Sequence, residues 1–196
     1  GLGLKGKWPL GGGFRLEDAI TVVNGAGMNV AGPEDFNRRK NVWGRVGARY
    51  KNDALMARFG VSGGYGDIKD QGVDLFSTAD DSVINFKRLG ADVEINQKLL
   101  FMAAEYVMGW DEEAGDVSDL SGYYVILTGK TPWQVGPLVR YDTLDDEFRR
   151  WTVGAYYGMP SADLRVLANY EFRRAKNDEF PNGEDDRLYL WLQVRF

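Results

Sequence analysis

With 196 residues, 13% of them aromatic, 25 glycines and a formal charge of -5, the chain has the length of one domain and a composition that suits strands and tight turns better than helices. No run approaches the roughly 18 apolar residues of a membrane-spanning helix, yet the mean hydropathy of -0.37 is no argument against barrel strands, whose two faces cancel in an average. Cysteine and histidine are both absent, which excludes disulfides, thiolate or histidine metal sites and a Ser-His dyad, so neither an enzymatic activity nor a cofactor is expected.

Taken in chain order, Gly1-Leu-Gly-Leu-Lys-Gly6 matches a dinucleotide fingerprint by spacing alone, with no strand before it and no helix after it, and reads as part of a glycine-rich strand at about 2–8. A second strand follows at 14–24, beyond the turn residues Pro9 to Gly13. From 41 to 66 the alternation predicts a hairpin. Val42, Gly44, Val46, Ala48 and Tyr50 oppose Arg45, Gly47, Arg49 and Lys51; then, after a turn at Asn52-Asp53, Leu55, Ala57, Phe59 and Val61 oppose Met56, Arg58, Gly60 and Ser62.

Three more hairpins are read at 83–96 with 99–110, 120–130 with 133–144, and 149–158 with 164–174, turning at Asn-Gln-Lys, Lys-Thr-Pro and Met-Pro-Ser-Ala-Asp. Pro137 interrupts the fourth of these strands without a reason visible in sequence. The final segment is the clearest, with Leu188, Leu190, Leu192, Val194 and Phe196 on one face and Arg187, Tyr189, Trp191, Gln193 and Arg195 on the other.

Between the hairpins lie longer, acidic connections at 25–40, 67–82, 111–119, 144–148 and 175–186. Short and long connections thus alternate without exception, as periplasmic turns and extracellular loops do in outer-membrane barrels. Trp8, Trp43, Tyr65, Trp110, Trp133, Tyr141, Trp151 and Tyr157 stand near strand ends, where an interfacial girdle would need them. The fold expected is an all-β, antiparallel up-and-down transmembrane β-barrel forming one domain over 1–196, against the alternative of a soluble barrel that buries the apolar face. No signal peptide stands at the start, which a mature outer-membrane protein and a cytoplasmic protein would both lack, so this feature does not bear on localisation.

Placing Phe196 in the periplasm, as the membrane-insertion signal, makes every short turn periplasmic and gives eleven strands. Single-chain bacterial barrels have even counts, so either a twelfth strand is unread or the chain is the C-terminal part of a larger barrel; the second is favoured.

From Trp133 onward the chain resembles the C-terminal part of phosphate-selective outer-membrane porins of the O and P type. The likeness rests on Pro137-Leu-Val-Arg-Tyr-Asp142, on Thr152-Val-Gly-Ala-Tyr-Tyr157 with Leu164-Arg-Val-Leu-Ala-Asn-Tyr170, and on Leu192-Gln-Val-Arg-Phe196, about a third of the chain. It implies a sixteen-stranded homotrimeric porin of the Gram-negative outer membrane that passes anions through a basic constriction. The constriction's basic residues find no motif match here.

On this strand assignment the pore-lining bases are Arg45, Arg49, Arg58, Arg88, Arg140, Arg165, Arg173, Arg187 and Arg195, joined by Lys5, Lys7, Arg15, Lys51 and Lys130. The acids on the same face are Asp92, Glu94, Glu105 and Glu171, with Glu17 and Asp142. That is 14 cations against six anions on the wall, leaving 10 basic and 23 acidic residues elsewhere, mostly in loops. Such a wall favours anions, although charges such as Arg88, Asp92, Glu94 and Glu105 can also pair across it. The loop acids Asp80, Asp81, Asp111, Glu112, Glu113, Asp145, Asp146, Glu147, Glu184, Asp185 and Asp186 suit divalent cations that bridge to lipid phosphates, though such runs are more often simply solvated. The expected function is an anion-preferring porin for small solutes, surrounded by bilayer and lipopolysaccharide, with no nucleic acid among its partners; the alternative is a scaffold barrel that sheathes or docks a partner protein.

Overall fold

A computed structural model describes residues 1–24, 40–69, 83–113, 115–145, 147–159, 164–175 and 186–194. They form eleven strands: β1 (Leu2–Gly11), β2 (Phe14–Asn24), β3 (Lys40–Lys51), β4 (Leu55–Lys69), β5 (Val83–Gln97), β6 (Leu100–Glu113), β7 (Asp116–Gly129), β8 (Val135–Leu144), β9 (Phe148–Met159), β10 (Leu164–Ala175) and β11 (Arg187–Val194). Each strand is hydrogen-bonded to its neighbour in sequence, in a single antiparallel up-and-down sheet, and no helix occurs among the described residues. No twelfth strand is found there either, and β1 and β11 stand at the two ends of the strand order.

Two expectations about connections need correction. β6 runs on to Glu113 and β7 begins at Asp116, so Asp111, Glu112 and Glu113 are strand residues and the expected long connection at 111–119 is a tight turn around Gly115, whose φ is +96°. The connection between β8 and β9, at 145–147, is short as well: Glu147 N–H donates to Leu144 O at 3.0 Å, and Asp145 takes a left-handed φ of +49°. Strict alternation of short and long connections therefore fails at these two places. An acidic run does not mark a loop when every second residue can pair on a strand face.

Several turns are set by identifiable chemistry. Gly11, Gly12 and Gly13 all have positive φ, a backbone that glycine adopts without a Cβ penalty. At 52–54 the connection is one residue longer than expected, because the side chain of Asn52 accepts from the N–H groups of Ala54 (2.9 Å) and Leu55 (2.7 Å) in an Asx turn. Pro137 also gains an explanation. The β7–β8 ladder stops at Thr128↔Leu138, and a Cβ on Gly129 would lie 2.9 Å from the Pro137 ring. The missing proline N–H thus falls where that ladder has ended, and Gly129 leaves room for the ring.

The contacts fall into two compact units. Unit 1 comprises Gly1–Arg49, Gly60–Ala91 and Val107–Ser121; unit 2 comprises Tyr50–Phe59, Asp92–Tyr106 and Gly122–Phe196. In unit 1, Leu2, Leu4, Trp8, Leu10, Phe14, Leu16 and Ile20 of the β1–β2 hairpin are exposed, whereas Arg15, Glu17 and Ala19 on the other face are partly enclosed. In unit 2 exposure alternates residue by residue. Tyr123, Val125 and Leu127 of β7, Val135 and Val139 of β8, and Trp151, Val153 and Tyr157 of β9 are exposed, while Tyr124, Ile126, Leu138, Arg140, Arg150 and Thr152 are enclosed.

Polarity is inverted relative to a protein folded in water. Among the described residues, and glycine aside, the buried ones are Phe86 at 7% exposure and the polar Asn41, Asp67, Thr143 and Thr152, while leucines such as Leu188 and Leu190 are 75% exposed. In unit 2 the exposed face is also ordered by height: Tyr141↔Trp151↔Phe172 form one row across three strands, with ring centroids of Tyr141 and Trp151 4.7 Å apart. Below it come Val139↔Val153↔Tyr170 and then Pro137↔Ala155↔Ala168↔Leu190. Aromatic residues therefore cap an apolar band that continues to Tyr157, roughly 20 Å of extended chain from Trp151.

Candidate functional site

The enclosed face of β7 to β11 in unit 2 carries a ladder of charges whose order follows from register. Asp142 stands directly opposite Arg150, and Arg150 opposite Arg173; one step along, Ile126, Arg140, Thr152, Glu171 and Arg187 form the next row. Arg140 donates to both carboxylate oxygens of Asp142 (Nε at 2.9 and 3.0 Å). Arg150 approaches Asp142 at 3.2 Å and Glu171 at 3.7 Å, while Arg173 lies 2.7 Å from Glu171 and donates to the Tyr189 hydroxyl at 3.1 Å. The chain of contacts is thus Arg140–Asp142–Arg150–Glu171–Arg173, three cations on two anions.

The ladder is anchored at the β7 end. The Arg140 guanidinium lies 4.7 Å from the ring centre of Tyr124, a cation–π contact. Arg150 was not singled out from sequence. Its signal was parity: it precedes Thr152 by two on a strand where Trp151, Val153, Ala155 and Tyr157 take the other face.

Beside the ladder is a recess of about 410 Å³ lined by Arg140, Arg150, Arg173, Asn169, Leu167 and Trp191, among others. Asn169 lies flat over Gly154, where a Cβ would come within 2.1 Å of its Oδ1, and that Oδ1 is buried without a hydrogen-bond partner.

Unit 1 holds a separate cluster. Trp43, on the same strand face as Arg45, stacks on Phe86 with centroids 5.6 Å apart and covers Gly64, where a Cβ would meet its ring at 2.3 Å. Arg88 stands 5.5 Å from the Phe86 ring centre, donates to Asp111 at 2.8 Å and to Trp110 O at 3.2 Å, and passes over Gly109. Trp43 therefore does not belong to an outward girdle: glycines at 64 and 66 open a floor on which it and Asn41 lie down. Arg88 thus pairs with Asp111, an acid expected in a loop.

The remaining candidates are distributed. Arg58 approaches Glu94 at 3.9 Å in unit 2; Asp92 is partly enclosed, as are Arg45 and Arg49 in unit 1, and Arg187 is exposed. Lys130 is partly enclosed and donates to Asn96 and, at 2.9 Å, to the carbonyl of Gln97. Arg195 and Phe196, like the side chain of Arg165, lie outside the described residues. So do Asp80, Asp81, Asp146, Glu184 and Asp185; Asp186 accepts from Tyr170 at 3.1 Å.

No protein-family model matches the chain, and no curated protein matches it. Fold and site geometry are the grounds for a functional reading.

Proposed function

We propose that the chain crosses a bacterial outer membrane as strands of a β-barrel and forms a water-filled, anion-preferring channel for small solutes. The inversion of polarity carries this reading. A soluble domain of this size would place most of its Leu, Val and Phe side chains in a core, because each fully buried one contributes about 1.5–3 kcal/mol. Here Phe86 is the one buried hydrophobic side chain among the described residues, and the apolar side chains occupy an exposed, aromatic-edged band. Lipid turns that arrangement from a cost into the favourable solvation of the outer face, and the enclosed polar face then meets water.

Anion preference is supported by charge. In the β7–β11 ladder bases outnumber acids by three to two. A fixed positive wall lowers the barrier for anions and raises it for cations. On this reading lipopolysaccharide and bilayer surround the apolar band. The resemblance to phosphate-selective porins adds phosphate as a candidate solute and the homotrimer as the candidate assembly.

The experiment is conductance of the detergent-purified chain in planar bilayers, with the reversal potential measured under a tenfold KCl gradient. Conductance with an anion-selective sign is expected. Cation selectivity would overturn the preference, no conductance would overturn the channel, and a monodisperse protein without detergent would overturn the membrane placement.

A further inference from the structure

We infer that the recess on the enclosed face of β7–β11 binds an amphipathic organic acid, one carboxylate attached to an apolar body, in preference to a compact hydrophilic anion such as phosphate. The inference rests on the channel reading for the route by which a solute reaches this face. The binding geometry itself is local to unit 2.

Register arranges the recess as successive rows. Asp142, Arg150 and Arg173 form the first row and Arg140, Thr152 and Glu171 the second. The third is Leu138↔Gly154↔Asn169↔Tyr189, and the fourth is Tyr156↔Leu167↔Trp191. Same-face rows are two residues apart, roughly 7 Å along the strand, so the arginine rows and the Leu167–Trp191 row are separated by roughly 14 Å measured from the second row to the fourth. Polarity therefore changes along one axis from guanidinium, through amide and phenol, to leucine and indole.

Each zone has unmet capacity. The three guanidinium groups share two carboxylates, leaving a positive charge and N–H donors for a planar oxyanion, which guanidinium binds in a two-pronged geometry. The buried Oδ1 of Asn169 has no donor, and Gly154 provides the space in which that amide lies. Trp191 is 67% exposed, a large apolar surface beside Leu167 at the edge of the recess. The recess, at about 410 Å³, is within the range of small-molecule sites. Phosphate would use the arginine rows and leave the indole in water; a carboxylate with an aromatic or alkyl body also covers apolar surface toward the Leu167–Trp191 row.

The test uses the full chain in planar bilayers, with block of the KCl current by 4-phenylbutyrate, butyrate and inorganic phosphate at fixed ionic strength. For the unsubstituted chain, half-block by 4-phenylbutyrate is expected at a concentration about tenfold lower than by butyrate or phosphate. Trp191→Ala and, independently, Leu167→Ala should erase that difference, and Arg150→Gln should weaken block by all three anions. Equal block by 4-phenylbutyrate and butyrate overturns the inference, as does a preference that survives both apolar substitutions. Isothermal titration of the detergent-solubilised chain with the same acids separates the two readings: preferential 4-phenylbutyrate binding without conductance keeps the site and removes the channel, whereas conductance without preferential binding does the reverse. Folding of each variant is checked by the shift in gel mobility between unheated and boiled samples.

Discussion

Arg150 stands directly opposite Asp142 in the β8–β9 ladder, with its guanidinium 3.2 Å from the carboxylate. Because Arg140 uses the same carboxylate, Asp142 holds two cations on the enclosed face, and neutralising it changes the wall charge without removing a base. Asp142→Asn should shift selectivity further toward anions, by roughly twofold in the permeability ratio, as read from the reversal potential. Arg150→Gln should shift it the other way. An unchanged permeability ratio in both experiments would remove the ladder from any part in selectivity.

The pair Arg88–Asp111 in unit 1 tests structure rather than permeation. Its charged side chains are about a quarter exposed, 23% and 24%, so solvent screens the pair in part. Asp111→Asn should lower stability by about 1–2 kcal/mol in urea titrations of the folded protein in lipid vesicles, because Arg88 stays partly enclosed beside Phe86. Asp119→Asn, at an exposed position, is the control and should change it by less than about 0.5 kcal/mol. Equal effects would mean that the ion pair contributes nothing specific.

Leu138 and Val139 are adjacent in β8 but take opposite faces, the first partly enclosed and the second exposed. Val139→Arg should cost about 2–4 kcal/mol if that face meets lipid near the bilayer midplane, and should reduce insertion into vesicles. Leu138→Arg, on the face proposed to meet water, should still allow insertion. In a water-soluble fold the exposed position would tolerate arginine better; that reversed order is the outcome that refutes the membrane reading.

Gly129 and Pro137 form a steric couple, since a methyl group at 129 would press on the proline ring at 2.9 Å. Gly129→Val should destabilise by about 1–3 kcal/mol, and a second change, Pro137→Ala, should recover a good part of that loss. The interaction energy of a double-mutant cycle measures the coupling. Additive effects would show that the ring and residue 129 do not meet.

The strand pattern was legible because the side-chain period of two survives in a chain with one apolar and one polar face: Leu188, Leu190 and Leu192 against Arg187, Tyr189 and Trp191 need no tertiary information. Partners across the sheet were not legible. Arg88 was expected to pair across the wall within a set that included Asp92, Glu94 and Glu105, yet it binds Asp111, which the sequence had placed in a loop. Trp43 looked like a girdle residue because it lies near a strand end, whereas it shares the face of Arg45 and, with no Cβ at Gly64 in the way, stacks on Phe86.

By itself, then, the sequence determined the eleven strands, their antiparallel order and which residues share a face, since these depend on local alternation and short turns. Register decided the rest. It set Asp142 against Arg150 and Leu167 against Trp191, and so placed an arginine ladder and an apolar wall in one recess. A slip of two residues would keep every face, yet break each of those pairings. Information of that kind lies in the fit between strands, not in any strand read alone.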